Sequence, residues 1–358
     1  MSTRARTLQE RLSAHSLDAL VVSAPTNIQY LTGFTGSNGT VVVTPHATTL
    51  ITDSRYRTWA SEQVQSHDPA TVVVIAQGTG RQALNDQVGD CSTVGLESDH
   101  VTWTDAKSLS ELFGADRVVA TSRVVEDLRE IKSANEIVSL RSAGAVGDAA
   151  LERMATELAP GMSEQDVARR IAQLMYDHSR VVPSFDIIVA SGPNSANPHH
   201  APTDRLIVAG DLVIIDSGAT VDGYRSDMTR SFVLGEPTQQ QREMLSLVKV
   251  AQQAGVDAVA PGVPTSEIDA ACRQVIADAG YGEYFTHGTG HGVGLDIHEA
   301  PSVSSASTAT LAPGHIITVE PGVYIPSVGG VRWEDTVLVT SNGADSLTNS
   351  PKQPIVEL

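Results

Sequence analysis

Short apolar runs alternate with amphipathic segments over about the first 125 residues, a pattern typical of a small α/β domain. Two β-branched runs are separated by Pro45-His46, which favours a hairpin, and residues 24–27 are rich in turn-forming side chains. The predicted elements are helices at 7–16 and 55–65, and strands at 19–23, 40–43, 48–52 and 71–76.

The pattern changes near residue 130, where apolar positions begin to recur at helical spacing over residues 135–158. Ser163, followed three residues later by Asp166, predicts a capping box and a second helix to about residue 176. Further strands are expected at 186–190, 211–217 and 226–234, helices at 239–259 and 265–279, and strands again from 285. We therefore predict two domains, residues 1–128 and 129–358.

Composition narrows the classes of partner. The chain carries 42 acidic and 24 basic residues, for a net charge of −18, and such a surface repels nucleic acid and anionic membranes. Aromatic residues make up only 4%, so platforms for stacking bases are not expected. We predict no nucleic-acid partner and no membrane partner.

The chain has two cysteines, Cys91 and Cys272, far apart in sequence. This count excludes a disulfide framework and disfavours a thiolate metal site. The first residues are basic but contain no apolar stretch of signal-peptide length, and no segment reaches the roughly 20 apolar residues that span a bilayer. A cytoplasmic location is expected.

Two aspartates lie at the ends of neighbouring predicted strands. Asp216 follows four consecutive aliphatic residues, and a buried carboxylate there must be neutral, hydrogen-bonded or metal-bound. Asp222-Gly223 is a strong hairpin signal. If these two residues form the turn, Asp216 lies opposite Thr229 and Asp227 is its diagonal neighbour on the same face. The two carboxylates would then point to one place.

Three further candidate ligands follow in glycine-rich or strand-like contexts. His291 lies in HGTGHGVG, whose glycines argue against a helix; Glu320 ends the run IITVE, and Glu334 enters an apolar strand. Taken singly, each has an ordinary explanation: aspartates form turns, His291 could be structural, Glu320 could cap local backbone, and Glu334 could pair with an arginine. Together, four carboxylates and one imidazole favour Mn²⁺, Mg²⁺ or Co²⁺ over a thiolate zinc site, and their charge balances two divalent ions.

The segments IIDSGA, SDMTRSF, HGTGHGVGLDIHE, TVEPGVY and GGVRWEDTVLV resemble the five metal-ligand motifs of the pita-bread metallopeptidases. That family includes prolidase, aminopeptidase P and methionine aminopeptidase, with creatinase as a relative. The segment YLTGFTGSNG resembles the creatinase/prolidase N-terminal domain. The resemblance implies an α+β pita-bread catalytic domain with a smaller N-terminal α/β creatinase-like domain. It also implies a homodimer.

The resemblance assigns roles residue by residue. It implies two divalent metal ions, with Mn²⁺ favoured and Co²⁺, Zn²⁺ or Mg²⁺ as alternatives. Asp216 would hold one ion, His291 and Glu320 the other, and Asp227 and Glu334 both.

Other matched positions would face the substrate. His199 and His298 match histidines on the substrate side, with His200 as the alternative to His199. His287 matches the histidine before the metal ligand, and Arg332 an arginine beside the last glutamate. Trp333 departs from the pattern, where a smaller aliphatic residue is more usual, so a changed pocket wall is expected.

The predicted reaction is hydrolysis of Xaa-Pro bonds in dipeptides or short peptides. Glu320 would accept a proton from the attacking water, and His199 and His298 would stabilise the oxyanion or hold the leaving residue. The alternatives are an aminopeptidase P acting on longer peptides, a creatinase-like hydrolase of another C–N bond, and a non-catalytic scaffold. A methionine aminopeptidase is disfavoured by the extra N-terminal domain.

Overall fold

The computed structural model describes residues 3–357. Their contacts divide the chain into two compact units, of which the first ends at Arg129 and the second begins at Glu130. Within the described residues, none of the helices combines the length and the apolar character needed to cross a membrane.

The first unit is built on one six-stranded sheet with the strand order β4-β3-β2-β1-β5-β6. Its elements are α1 (Thr3–Arg11), β1 (Ala19–Val22), α2 (Pro25–Thr32), β2 (Gly39–Val43), β3 (Thr48–Thr52), α3 (Arg57–His67), β4 (Val72–Ile75), α4 (Arg81–Val88), β5 (Val94–Glu97), α5 (Trp103–Phe113), β6 (Val118–Thr121) and α6 (Glu126–Arg129). The hairpin predicted around Pro45-His46 is confirmed, since β2 and β3 pair antiparallel.

One local prediction in this unit is wrong. Residues 24–27 were expected to form a turn, but Pro25 is the first residue of helix α2. Proline suits this position because its fixed φ is helical and its missing N–H would have no partner in the first turn. The same residue therefore signals both a turn and a helix start.

The second unit contains the longer helices and two larger sheets. Its elements are α7 (Ala134–Glu157), α8 (Glu164–Ser179), β7 (Ile188–Ser191), β8 (Leu212–Ser217), β9 (Thr220–Val221), β10 (Tyr224–Arg225), β11 (Met228–Leu234), α9 (Gln239–Ala258), α10 (Thr265–Asp278), β12 (Gly290–Gly292), β13 (Glu299–Val303), β14 (Ile316–Val319), β15 (Gly322–Ile325), β16 (Gly329–Arg332), β17 (Asp335–Val339), β18 (Ala344–Ser346) and β19 (Ile355–Val356). The predicted capping box of α8 is confirmed, because Ser163 and Asp166 exchange hydrogen bonds.

The two larger sheets of the second unit each share an apolar core with a pair of helices. The sheet β19-β11-β8-β7 shares an apolar core with α7 and α8, in which Met154, Ile171 and Val213 are buried. The sheet β13-β12-β14-β17-β18 shares a second core with α9 and α10. Burial of aliphatic side chains on both sides, at about 25 cal/mol per Å², holds the ends of β8, β11, β12, β14 and β17 in fixed positions.

Trp333 belongs to the second of these cores. Its side chain is 1% exposed, and its indole nitrogen donates a hydrogen bond to the carbonyl of Leu245 in α9. The expectation that Trp333 changes the pocket wall is wrong, because the ring fills the core behind β16 and does not line the pocket described below.

The Asp-Gly hairpin forms as predicted. Asp222 and Gly223 both have positive φ, at 53° and 85°, and the short strands β9 and β10 pair on either side of them. Asp216 lies directly opposite Thr229 in the pairing of β8 with β11. The predicted register is therefore confirmed.

Candidate metal centre

A pocket of about 420 Å³ in the second unit gathers side chains from five strand ends. All five predicted ligands line it: Asp216, Asp227, His291, Glu320 and Glu334. They come from sequence positions 118 residues apart at the extremes (334 − 216) and meet because β8, β11, β12, β14 and β17 end at one place.

Three of the carboxylates form the tightest group. One oxygen atom from each of Asp216, Asp227 and Glu334 can be chosen so that all three lie within 4.8 Å of one another. All three residues are buried, with exposed fractions of 9%, 4% and 1%. Three acidic groups this close, away from solvent, require either protons or cations to balance their charge.

His291 and Glu320 lie beside this group. The imidazole Nε2 of His291 is 3.6 Å from Asp227 Oδ2 and 3.5 Å from Glu320 Oε1. Its Nδ1 faces the carbonyl oxygen of Gly292 at 3.0 Å, so Nδ1 is the atom assigned the hydrogen. The lone pair of Nε2 then points toward the carboxylates, which is the orientation of a metal-binding imidazole.

The pKa values of the clustered residues reflect their burial and the short distances between their acidic groups. Burial, followed by the charge of Glu334, raises the pKa of the Asp227 carboxyl well above its ordinary value. Burial, followed by the charge of Glu320, does the same to the pKa of Glu334. Burial raises the pKa of Glu320 to about 8, partly offset by Arg332, while burial lowers the pKa of His291. Without cations, the raised pKa values of Asp227, Glu320 and Glu334 favour their protonated forms, whereas the lowered pKa of His291 favours its neutral imidazole.

Asp216 is held from one side only. Its Oδ2 accepts a hydrogen bond of 2.7 Å from Nη2 of Arg332. Its Oδ1 is buried, and no donor among residues 3–357 reaches it. A buried carboxylate oxygen without a partner is costly, so this atom is a ready ligand for a cation.

Arg332 connects the carboxylates to the rest of the pocket. Its Nε donates to Thr229 Oγ1 at 3.0 Å, and Thr229 in turn donates to Glu334 Oε2 at 2.6 Å. Nη1 donates to the hydroxyl oxygen of Tyr324 at 3.0 Å. Burial acts to lower the pKa of Arg332, but its electrostatic interactions with Tyr324, Asp216 and Glu320 outweigh burial and raise that pKa above its ordinary value. The guanidinium thus fixes the orientation of two candidate ligands.

Tyr324 contacts two residues of the pocket, His287 and Arg332, and the sequence reasoning missed it. Its hydroxyl lies 2.9 Å from Nε2 of His287, and burial raises the pKa of this hydroxyl to about 12. Burial, followed by Arg332, lowers the pKa of His287 to about 4, so its imidazole is neutral. The available signal was the tyrosine in TVEPGVY, a polar side chain inside an otherwise apolar strand.

The three other histidines predicted to face the substrate occupy different positions. His199 and His298 line the pocket, and the ring centroids of His298 and His291 are 4.4 Å apart. His200 does not line the pocket; its Nε2 lies 2.8 Å from Glu164 Oε2. The prediction of a substrate-binding His200 is therefore at odds with its placement, because its imidazole faces Glu164 at the N-terminal end of helix α8.

Divalent cations fit this donor set. The pocket offers a neutral imidazole, four carboxylates and one buried oxygen without a donor, which is a hard, oxygen-rich set that suits Mn²⁺, Mg²⁺ or Co²⁺. Arg332 and Thr229 hold the carboxylates from behind, as outer hydrogen-bond partners do in metal sites. The arrangement is suited to metal-assisted hydrolysis.

Two family models match the chain, one in each unit. The model described as the creatinase/prolidase N-terminal domain covers residues 4–131, and the model described as metallopeptidase family M24 covers residues 138–341. These matches, together with the solved structures below, confirm the predicted fold, an N-terminal creatinase-like domain followed by a pita-bread domain.

Proteins of known name are similar over nearly the whole length. A Xaa-Pro dipeptidase of Pyrococcus furiosus is 35% identical, with 99% of this chain and 99% of the relative covered. The solved Xaa-Pro dipeptidase from Bacillus anthracis is 38% identical with a TM-score of 0.95, covering 99% of each chain. The solved X-Pro aminopeptidase from Thermotoga maritima is 31% identical with a TM-score of 0.90, covering 98% of this chain and 99% of that one.

Proposed function

Because this chain belongs to metallopeptidase family M24 and is a hydrolase, we propose that it cleaves Xaa-Pro dipeptides in a reaction that depends on divalent metal ions. The observation that carries the proposal is the gathering of four carboxylates and His291 in one pocket that also holds His199, His287 and His298. Full-length similarity to proteins named Xaa-Pro dipeptidase supports the substrate class.

In this proposal the five clustered side chains hold two divalent ions. Asp216 would be a ligand of one ion, His291 and Glu320 of the other, and Asp227 and Glu334 of both. When bound, such ions polarise the scissile carbonyl and make a water molecule nucleophilic at neutral pH. Support comes from the grouped oxygens of Asp216, Asp227 and Glu334 and from the neutral imidazole of His291.

The protein's own groups move the proton and hold the substrate. Glu320 accepts a proton from the attacking water and returns it to the leaving nitrogen. The proline nitrogen leaves as a neutral amine only if it gains a proton, so protonation must accompany cleavage. His298 and His199 donate hydrogen bonds to the developing oxyanion or hold the leaving residue, while Arg332 and His287 line the same pocket.

A second candidate is an aminopeptidase P activity on longer peptides. It is favoured by one observation, the similarity to the X-Pro aminopeptidase from Thermotoga maritima at a TM-score of 0.90. The two activities use the same bond cleavage and differ in the space left beyond the proline.

Hydrolysis of Ala-Pro beside Ala-Pro-Ala tests both candidates. The protein is stripped of metal with a chelator and assayed with and without Mn²⁺, Co²⁺, Zn²⁺ or Mg²⁺, with Ala-Ala as a control without proline. Metal-dependent cleavage of Ala-Pro alone supports the dipeptidase, whereas cleavage of Ala-Pro-Ala after the first residue supports the aminopeptidase. Failure to cut either substrate with any of these ions would overturn the peptidase proposal.

The remaining details are proposals of the same kind. We propose Mn²⁺ as the working ion, a homodimer as the active assembly and the cytoplasm as the location. The oxygen-rich ligand set supports manganese. Metal analysis of the purified protein and light scattering coupled to gel filtration would test the first two.

A further inference from the structure

Glu164 is a buried acid that the proposed chemistry does not use. It is the first residue of helix α8, and it is 0% exposed. Its carboxylate accepts six hydrogen bonds, at distances of 2.7 to 3.0 Å. A buried carboxylate that accepts this many hydrogen bonds indicates a junction, a point at which one residue holds separate parts of the chain together.

All six donors belong to one stretch of chain, residues 191–203, here called the 191–203 segment. Oε1 accepts from the backbone N–H and hydroxyl of Ser191 and from the side-chain amide of Asn194. Oε2 accepts from the imidazole of His200 and from the backbone N–H and hydroxyl of Thr203. Each carboxylate oxygen therefore holds one end of the same segment.

The 191–203 segment carries His199 into the pocket. Between its two anchored ends it contains one short 3-10 helix, Gly192–Ala196, and then irregular backbone. Pro198 and His199 line the pocket at the middle of this span. Irregular backbone has little stiffness of its own, so the position of His199 depends on where the segment is fixed. Glu164 holds its two ends, and in between the backbone N–H of Gly330 donates to Ser195 Oγ at 2.8 Å and Arg332 Nη1 donates to the Pro198 carbonyl at 3.3 Å.

Helix α8 provides a rigid base for this junction. Glu164 N donates to the carbonyl of Arg205, and Gln165 N donates to that of Thr203, so the chain beyond the segment is tied to the same helix end. The helix N-terminus also favours a negative charge. Arg205 adds a bond to the Ser191 hydroxyl at 2.7 Å and pairs with Asp211 at 2.6 Å.

We propose that Glu164 is a positioning residue for His199: by binding both ends of the 191–203 segment, it sets where the His199 imidazole meets the substrate. His200 then acts as one of the anchors and not as a substrate ligand. This inference rests on the proposed peptidase function only for its kinetic consequence. The anchoring itself is independent of the reaction.

Glutamine cannot replace Glu164, although it has the same shape. A side-chain amide has one oxygen and one NH₂ group, which donates only. In one orientation the NH₂ group faces the backbone N–H of Ser191, and in the other it faces that of Thr203. Either way, one fixed backbone donor loses its acceptor and meets another donor, so one end of the segment is released.

The kinetic test is a double-mutant cycle between Glu164 and His199 in the full-length, metal-loaded protein, with Ala-Pro as substrate. Glu164→Gln should lower kcat by about tenfold or more and change KM less. The reason is that a displaced His199 imidazole mainly loses hydrogen bonds that it makes in the transition state. In a His199→Ala background, Glu164→Gln should lower kcat by less than about twofold further. Equal losses in both backgrounds would overturn the proposal.

A matched control and a milder variant separate positioning from general destabilisation. Glu157 also binds helix α8, through Arg170, but contacts no residue of the segment, so Glu157→Gln should leave kcat within about twofold. Thr203→Val removes one of the six bonds without changing size and should lower kcat by a few-fold, whereas Thr203→Ser should restore it. A Thr203→Val protein that is folded and as active as Thr203→Ser would contradict the role of the junction.

Hydrogen exchange followed by mass spectrometry provides a readout that does not depend on activity. In the metal-free protein, peptides covering residues 191–203 should exchange faster in Glu164→Gln than in wild type, while peptides from α7 remain unchanged. If the wild-type protein cleaves no Xaa-Pro substrate, the proposed function fails, yet faster exchange still supports the anchoring. Unchanged exchange in the segment would overturn it whatever the activity.

Discussion

Arg332 and Asp216 form a buried pair in which Nη2 lies 2.7 Å from Oδ2, with side chains only 4% and 12% exposed. The bond leaves the other oxygen of Asp216 without a donor among the described residues. One carboxylate oxygen is thus fixed by the protein, and the other is left for a further partner. In metal sites, a residue that does not itself bind the metal often orients a ligand through a hydrogen bond of this kind.

Replacing Arg332 by lysine should therefore weaken metal binding more than it weakens folding. Arg332→Lys keeps the charge but cannot contact Asp216, Thr229 and Tyr324 together, because an ammonium group lacks the planar fork. We expect metal affinity to fall by about 10- to 100-fold, measured by calorimetric titration of the metal-free protein. Arg170→Lys, in a partly exposed pair with Glu157, is the control and should bind metal as wild type does. Equal affinities for wild type and Arg332→Lys would contradict this role.

Neutralising one clustered carboxylate should have opposite effects with and without metal. Burial and the charges of Glu334, Asp216 and Glu320 all act against an ionised Asp227 in the metal-free protein. Asp227→Asn is neutral without taking up a proton, so it avoids the cost of ionising or protonating this buried carboxyl, and the melting temperature in a chelator should rise above that of wild type. The rise that wild type shows on adding Mn²⁺ should be lost, together with turnover. Thermal melts in chelator and in Mn²⁺ measure both effects, and a variant that keeps the full Mn²⁺-dependent rise would exclude Asp227 as a ligand.

Lys132 and Glu299 form a second buried pair, with a separation of 3.0 Å and side chains 1% and 7% exposed. Glu299 follows His298 and also accepts a bond from the backbone N–H of Asp296. Lys132→Met leaves a buried carboxylate without its cation and should lower the free energy of unfolding by about 3–5 kcal/mol. Adding Glu299→Gln should recover much of this loss, because the charge is removed as well. Urea unfolding of the two variants measures both values, and a stable single variant would show that the pair contributes little.

The Glu164 junction predicts a stability change at acid pH. Burial opposes the charged form, but the hydrogen bonds from Thr203, His200 and other donors outweigh it and lower the pKa of Glu164 to about 2 from 4.5. A lowered pKa in the folded state gives stability that is fully present above pH 4.5 and is lost as pH falls toward 2.

The amount follows from the size of that shift. At about 1.4 kcal/mol per pH unit, the shift from 4.5 to about 2 corresponds to a loss of at most about 3 to 4 kcal/mol. Unfolding free energies of wild type and Glu164→Gln between pH 5 and pH 3 should therefore converge. The exposed Glu152→Gln control should show the wild-type slope. Parallel slopes for wild type and Glu164→Gln would contradict the prediction.

Several features of the site follow from local sequence rules. The Asp-Gly turn with alternating strands on either side predicts the register that places Asp216 opposite Thr229, and this register is observed. The capping box at Ser163 predicts the start of α8, which also places Glu164 at its first turn. These predictions succeed because a turn type or a cap constrains only a few neighbouring residues.

Other features could not be predicted because they depend on contacts between distant residues. His199 and His200 are adjacent in irregular backbone, where no period decides which side chain faces the pocket. His200 turns away because Glu164, 36 residues earlier, accepts its hydrogen bond. Tyr324 was missed for a related reason, since its partner His287 lies in a loop 37 residues earlier, while Arg332 lies in the paired strand β16.

The sequence by itself determined the family resemblance, the candidate ligands and the four long helices of the second unit, because motif residues, periodicity and turn chemistry are local properties of the chain. Only the tertiary structure decided which side chains share the pocket, which oxygen of Asp216 remains without a donor, and that Trp333 fills a core. Those outcomes depend on how two sheets and four helices pack, and packing is set by the summed burial of many side chains rather than by any single segment.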